Sequence, residues 1–240
     1  MSFVIDAGNT LTKIYRIAND TITEECLYDI SYLSERFNNT GPEDCIIASV
    51  VPQRTDLIIH EIKRSLNIVP FVIAHDHFKY LKSRYADIYQ LGLDRLCNIA
   101  YALNSFKRNA VIIDLGSTVT FEIINDKGEF EGGMIFPGIN MQIDSLAKKT
   151  AQLPRIDIRA PGALIGRSTS ECISSGIFNG IAGICNDFVS KLRTEISKDI
   201  NIVLSGGDAP LMSKLVNFEH KTEKHTVPLG AVIIREMNRK

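Results

Sequence analysis

The stretch Ile5-Asp6-Ala7-Gly8-Asn9-Thr10-Leu11-Thr12-Lys13 has a counterpart 108 residues later, Ile113-Asp114-Leu115-Gly116-Ser117-Thr118-Val119-Thr120-Phe121. Ile5/Ile113, Asp6/Asp114, Gly8/Gly116, Thr10/Thr118 and Thr12/Thr120 are identical, five of nine positions. Each copy follows a short apolar run (Phe3-Val4-Ile5; Val111-Ile112-Ile113) and leads into another (Ile14–Ile17; Phe121–Ile124). Both therefore read as strand, Gly-containing turn, strand. One long period used twice indicates a duplicated domain, not a solenoid. The boundary is placed at Lys107-Arg108-Asn109, giving domains 1–108 and 109–240.

The other elements fit two similar halves. Ile46–Val51 reads as a strand by its β-branched content, a helix follows from about Thr55, and Phe71-Val72-Ile73 reads as another strand. A helix opens at Asp94, with Leu96, Ile99, Ala100 and Leu103 on one apolar face. In the second half Asp126-Lys127-Gly128 reads as a hairpin turn, and Gly132-Gly133 as the start of a loop ending at Pro137-Gly138. Glu171–Leu192 reads as a helix burying Ile177, Ile181, Ile184 and Phe188, with Gly176, Gly180 and Gly183 spaced for close approach of another backbone, in this chain or a second copy. Ile202–Leu204 is a strand that Gly206-Gly207 turns into a helix near Pro210. Alternating strands and helices predict α/β layers, and two copies predict a cleft between two domains.

Composition narrows the function classes. Lys and Arg total 27 against 28 Asp and Glu, a net charge of −1, which argues against a dedicated nucleic-acid or membrane-surface binder. No apolar run approaches the ~18 residues of a membrane span. Asp6 falls where a leader peptide would have its apolar core. Five scattered cysteines without a C-x-x-C pair predict neither a disulfide framework nor a zinc site, and fit a reducing cytoplasm. His75 and His77 form an H-x-H pair without an evident third ligand, and read as a surface loop.

Several segments carry candidate chemistry. In the two D-x-G-[NS]-T-x-T turns, glycine lets an anion approach the backbone, and amides and hydroxyls can donate to phosphate oxygens. The aspartate ending each strand is placed to hold a cation beside those phosphates. Lys13 adds positive charge to the first copy, where the matched residue of the second is Phe121. An ordinary hairpin is the alternative for either turn alone. In Gly92-Leu93-Asp94-Arg95, Asp94 reads either as a helix cap or as a carboxylate, kept ionised by the helix N-terminus, that accepts a hydroxyl proton. Ser205-Gly206-Gly207-Asp208 reads as a strand–helix turn or a flat ligand platform, and Gly166-Arg167-Ser168-Thr169 as a helix cap or an anion site.

Taken in order, these blocks make the chain similar to the type III pantothenate kinases of the actin-like ATPase and sugar-kinase superfamily. The matching blocks include Asp6–Lys13, Ala48–Pro52, Gly92–Arg95 with Asn98, Asp114–Ser117, Gly132-Gly133 with Pro137-Gly138, Ile165–Thr169, Ser175–Phe178 with Gly180, and Ser205–Gly207. The resemblance implies two ribonuclease H-like domains and ATP-dependent phosphorylation of pantothenate, the first step of coenzyme A synthesis. It implies that Asp6, Ala7, Gly8, Asn9, Thr10, Leu11, Thr12 and Lys13 bind ATP together with Ser117, with Asp6 near Mg²⁺. Asp94 would be the catalytic proton acceptor. Tyr85, Gly92, Leu93, Arg95 and Thr169 would contact pantothenate, and Asp114 would hold a monovalent cation, potassium or ammonium. A homodimer is implied too, and the cysteine usage and charge balance above add the expectation that it is cytoplasmic and binds neither nucleic acid nor membrane. Departures are Ser117-Thr118 for the family's Thr-Ala, Ser205 for its threonine, and Ala86–Leu91 without the usual proline. Other readings are an ATP-binding transcriptional accessory factor and another small-alcohol kinase. Intact Lys13, Asp94 and Arg95 favour an enzyme over a pure regulator.

Overall fold

A computed structural model of the chain describes residues 1–40 and 44–239. The elements run β1 (Ser2–Ala7), β2 (Thr12–Ala18), β3 (Thr21–Leu27), α1 (Ile30–Thr40), β4 (Asp44–Ser49), α2 (Pro52–Leu66), β5 (Phe71–Val72) and α3 (Leu93–Phe106). They continue β6 (Ala110–Leu115), β7 (Thr118–Ile124), β8 (Phe130–Pro137), α4 (Ile139–Lys149), α5 (Thr169–Glu195), β9 (Asn201–Ser205), α6 (Ala209–Met212), β10 (Lys221–Thr222) and α7 (Thr226–Met237). Two compact units result: Met1–Ser105 together with the C-terminal segment from His225, and Phe106–Lys224.

The first unit holds a sheet in the order β3-β2-β1-β4-β5, with β1 antiparallel to β2 and parallel to β4. The second repeats it as β8-β7-β6-β9-β10, with β6 antiparallel to β7 and parallel to β9. This strand-for-strand repetition of a mixed sheet bears out the duplicated α/β fold expected from the echo. In each unit the central strand is buried on both faces, which explains its unbroken apolar run.

Packing follows from alternation along the strands. Phe3, Ile5, Ala7, Ile14, Cys45 and Ile47 form one face of the first sheet and pack with Leu33 and Phe37 of α1 and Ile58 and Ile62 of α2. Helix α2 opens with Pro52 in its first turn and closes on Asn67 in the left-handed conformation (φ 53°). In the second unit Val111, Ile113, Phe121 and Ile123 pack with Ile139 and Ile143 of α4 and with Ile173, Ile177, Phe178, Ile181, Cys185 and Val189 of α5.

Three local readings change. Gly132-Gly133 does not begin a loop but lies inside β8, where Gly132 takes φ +120° at a ladder irregularity opposite Ile123 and Ile124. The helix expected near Pro210 is present as the four-residue α6. Ile184, expected in the core, is 42% exposed on the outer side of α5. Gly176, Gly180 and Gly183 share that outer side, and a Cβ at any of them would meet no described atom within 4 Å. The chain's end also differs from a partition at residue 108: α7 packs on β1 and β4 of the first sheet. Gly230 lies so close to α3 that a Cβ there would stand 2.0 Å from the Cys97 carbonyl oxygen, and the buried Thr226 hydroxyl donates to Asn98 Oδ1 (2.6 Å).

Candidate active site

In the first unit the residues Gly8 to Leu11 connect Ala7 to its ladder partner Thr12, and the Gly8 N–H closes the turn on the Leu11 carbonyl (3.1 Å). Asn9, Thr10 and Leu11 are exposed at the tip. Asp6, the last residue but one of β1, is half-buried opposite Lys13. The Ala48–Pro52 block lies beside this turn: the Val50 N–H donates to the Ala7 carbonyl (3.2 Å), and Pro52 starts α2. From the third position of α2, Arg54 donates through Nη1 to the Gly8 carbonyl (2.7 Å) and the Thr12 hydroxyl (3.2 Å). Lys13 Nζ pairs with Glu25 Oε1 (2.7 Å), and His225 Nε2 lies 3.0 Å from Glu25 Oε2.

The second turn is one residue shorter: Gly116 to Thr118 connect Leu115 to its partner Val119. Lys13 faces Asp6 in one ladder and Thr120 faces Asp114 in the other, so Thr120, not Phe121, is the structural counterpart of Lys13. Phe121 corresponds to Ile14 and is fully buried in the core. Gly138 explains the Pro-Gly block. Its N–H donates to the Ser117 carbonyl (3.1 Å), and a Cβ there would stand 2.1 Å from the Gly116 carbonyl oxygen. Ser117 is exposed at this turn's tip.

Gly206 closes the other flank of the second turn. It takes φ +85°, and a Cβ would stand 2.4 Å from Asp114 Oδ1 and 2.5 Å from the Leu115 carbonyl oxygen. A carboxylate and a carbonyl oxygen thus converge on a space that only glycine leaves open, which is donor chemistry that fits a monovalent cation. Neighbouring Asp208 has its carboxyl pushed up by burial, and its N–H donates to the Leu115 carbonyl (3.0 Å). Among the described residues no group of three or more His, Cys, Asp or Glu could enclose a metal ion. A divalent cation would need oxygens from phosphate and water besides Asp6, which is the usual habit of Mg²⁺. His75 and His77 instead make local bonds, to the Leu91 carbonyl (2.8 Å) and the Ala74 N–H (3.1 Å).

Asp94 is not a helix cap. Helix α3 begins at Leu93, and the Leu96 N–H donates to the Gly92 carbonyl (3.1 Å), which makes Gly92 the cap residue. Asp94 sits in the first turn and accepts the Arg95 N–H at 2.8 Å. Burial pushes its carboxyl above the ordinary range, against the opposing pull of that N–H and the Arg95 charge. Desolvation thus outweighs the stabilisation that the helix N-terminus gives the charged form, and makes the carboxylate more basic. One turn on, the fully buried Cys97 thiol is driven well above its ordinary value by burial and by the negative charges of Asp6 and Asp94. Both carboxylates thus lie within electrostatic reach of one buried atom, the Cys97 sulfur.

The remaining residues are more dispersed. Tyr85 is half-buried in the segment before α3, and Arg95 is buried. Thr169, exposed, is the first residue of α5 in the second unit, after Ser168, whose hydroxyl accepts the Glu171 N–H (3.3 Å). Next to it, Arg167, Ser170 and Ser174 help line an open groove of about 1110 Å³ against segment 154–166. Arg54, Glu25 and His225 had no signal in the sequence motifs, because each meets its partner from a distant element.

A sequence model of the type III pantothenate kinases matches residues 2–191. The chain belongs to this family. A type III pantothenate kinase of Sulfurihydrogenibium sp. is 30% identical over 94% of this chain and 95% of its own length. That of Persephonella marina is 31% identical over 90% and 91%. Among solved structures, a Campylobacter jejuni protein named for the Baf family of transcriptional activators aligns over 98% of both chains with TM-score 0.64 and 18% identity. The ADPNP-bound activator of 2-hydroxyisocaproyl-CoA dehydratase from Clostridium difficile aligns with TM-score 0.52 and 14% identity, over 98% of this chain and 95% of that one. At such identities these structures speak for the fold alone.

Proposed function

We propose that this chain transfers the γ-phosphoryl group of ATP to the primary hydroxyl of pantothenate, giving 4′-phosphopantothenate in the first step of coenzyme A synthesis. The observation that carries this reading is Asp94: a carboxylate made more basic by burial, in the first turn of α3 and, like Asp6, within electrostatic reach of the buried Cys97. In the proposed step Asp94 orients the hydroxyl and takes its proton as the oxygen–phosphorus bond forms and the bond to the leaving ADP breaks. Phosphoryl transfer depends chiefly on positioning and charge neutralisation, and a poised carboxylate suits it.

The turn Asp6–Lys13 and Ser117 are the proposed ATP contacts, with Arg54 fixing the backbone of the first turn. Tyr85, Gly92, Leu93, Arg95 and Thr169 are the proposed pantothenate contacts. Asp6 would hold Mg²⁺ together with phosphate oxygens, and the Asp114–Leu115 cradle would hold potassium or ammonium. When bound, these cations neutralise charge on the phosphates. Assembly as a cytoplasmic homodimer through the outer side of α5 fits its exposed Gly176, Gly180, Gly183 and Ile184, which no other described segment covers.

ADP release measured with ATP alone, and with pantothenate, pantetheine or simple sugars added, tests the reading. Turnover that requires pantothenate is the expected result. Turnover with a sugar alone would reassign the acceptor, and nucleotide binding without any acceptor-dependent turnover would favour a regulatory protein.

A further inference from the structure

Resting on the reading of Lys13 as a phosphate ligand, we propose that Glu25 is a positioning residue that latches the Lys13 ammonium away from the first turn until a nucleotide phosphate displaces it. Ladder partners share a sheet face, as do residues two apart along a strand. Lys13 is opposite Asp6 and Leu27, and Tyr15 is opposite Val4 and Glu25, so Asp6, Lys13, Tyr15 and Glu25 all project from one face. Lys13 does not point along its own rung. Its Nζ meets Glu25 Oε1 at 2.7 Å, one side-chain step farther from the turn Gly8–Leu11. Two residues of strand span about 6–7 Å, comparable to the reach of a lysine side chain, so the pair draws the charge back from the turn.

His225 supports the latch. Its Nε2 lies 3.0 Å from the other Glu25 oxygen, and its ring packs edge-on against Tyr15 with centroids 5.4 Å apart. Glu25 is thereby held from two sides while Lys13 contributes only its flexible end. The side chains of Lys13 and Glu25 are 28% and 27% exposed, so water reaches the pair and a competing anion can exchange with the carboxylate. Nucleotide affinity is then set partly by the pair that must open.

The test is direct titration with a non-hydrolysable ATP analogue and Mg²⁺, together with KM and kcat, for wild type, Glu25→Gln, Lys13→Met and the double variant. Glu25→Gln keeps the side-chain shape and removes the charge. It should tighten the analogue about two- to fivefold and lower KM for ATP alike, with kcat little changed. In the Lys13→Met background the same substitution should change nothing. Unchanged or weaker binding in Glu25→Gln overturns the latch, as does equal tightening in both backgrounds, which would mark a general field effect. If Lys13→Met weakens binding while Glu25→Gln has no effect, the phosphate role of Lys13 stands and only the latch falls. If Lys13→Met binds as wild type does, the role of Lys13 falls as well.

Discussion

A Cβ placed on Gly92 would stand 2.5 Å from Oδ1 of Asp94. The glycine of the G-x-D-R block therefore keeps space for the carboxylate two residues on. The cheap response to Gly92→Ala is rotation of the Asp94 side chain, because its carboxylate is the movable partner. Turnover should fall roughly 10- to 100-fold through misplacement of the base, with little change in melting temperature. Steady-state kinetics beside a thermal melt checks this, and equal loss of stability and activity would point to the backbone instead.

Asp94→Asn should separate stability from catalysis. In the folded protein the carboxyl titrates above its ordinary value of 3.8, so its contribution to stability is full at low pH and is lost as pH rises through the folded value. An amide removes that loss, so at neutral pH the variant should be at least as stable as wild type. Turnover should drop by about 10²-fold or more. In the wild type, the acid limb of kcat/KM should lie above the ordinary carboxylate range, since the base works only when deprotonated.

Arg54→Ala should raise KM for ATP roughly tenfold, the scale of a charge-assisted hydrogen bond to a partly buried backbone oxygen. The guanidinium joins the Gly8 carbonyl to the Thr12 hydroxyl across the base of the first turn, and without it the turn loses its brace. Both bonds come from the single Nη1, so Arg54→Lys keeps the charge but, on a shorter side chain, should recover only part of the effect. Nucleotide titration without pantothenate separates this from any effect on the acceptor.

Gly206→Ala should damage the cation cradle and the backbone together. A left-handed alanine costs about 1–3 kcal/mol, and the new methyl would collide with Asp114 Oδ1 and the Leu115 carbonyl. If the cradle holds potassium, wild-type rates should fall sharply in sodium-only buffer, and the variant should respond little to either salt. Equal wild-type rates in both salts would remove Asp114 from this role.

Some of this was legible in the sequence and some was not, for physical reasons. The two strand–turn–strand units were legible because β-branched runs and the Asp-Gly turn are local signals, and Gly92 and Asp94 are two residues apart. The one-residue difference between the turns was hidden: Thr12 matches Thr120 in sequence while the ladder pairs Thr120 with Asp114. Gly132 concealed a strand because glycine carries no β signal, although an edge irregularity can use its freedom. Arg54 reaches Gly8, and His225 reaches Glu25, from 46 and 200 positions away, a separation no motif encodes. The placement of α7 on the first sheet was hidden likewise, since its apolar face would serve either sheet.

The outer side of α5 gives the last prediction. Glycine inside a helix costs about 1 kcal/mol relative to alanine, so three on one face need a compensating reason. Within this chain there is none among the described residues: a Cβ at Gly176, Gly180 or Gly183 meets nothing within 4 Å. If the face is free in solution, Gly180→Ala should simply stabilise the protein by about that amount. If a second copy packs there, as proposed, the methyl would lie in the interface, and Gly180→Leu should yield a monomer with an unchanged far-ultraviolet spectrum. Light scattering coupled to size exclusion distinguishes the two. A Gly180→Leu protein that still elutes as a dimer would move the interface to another surface.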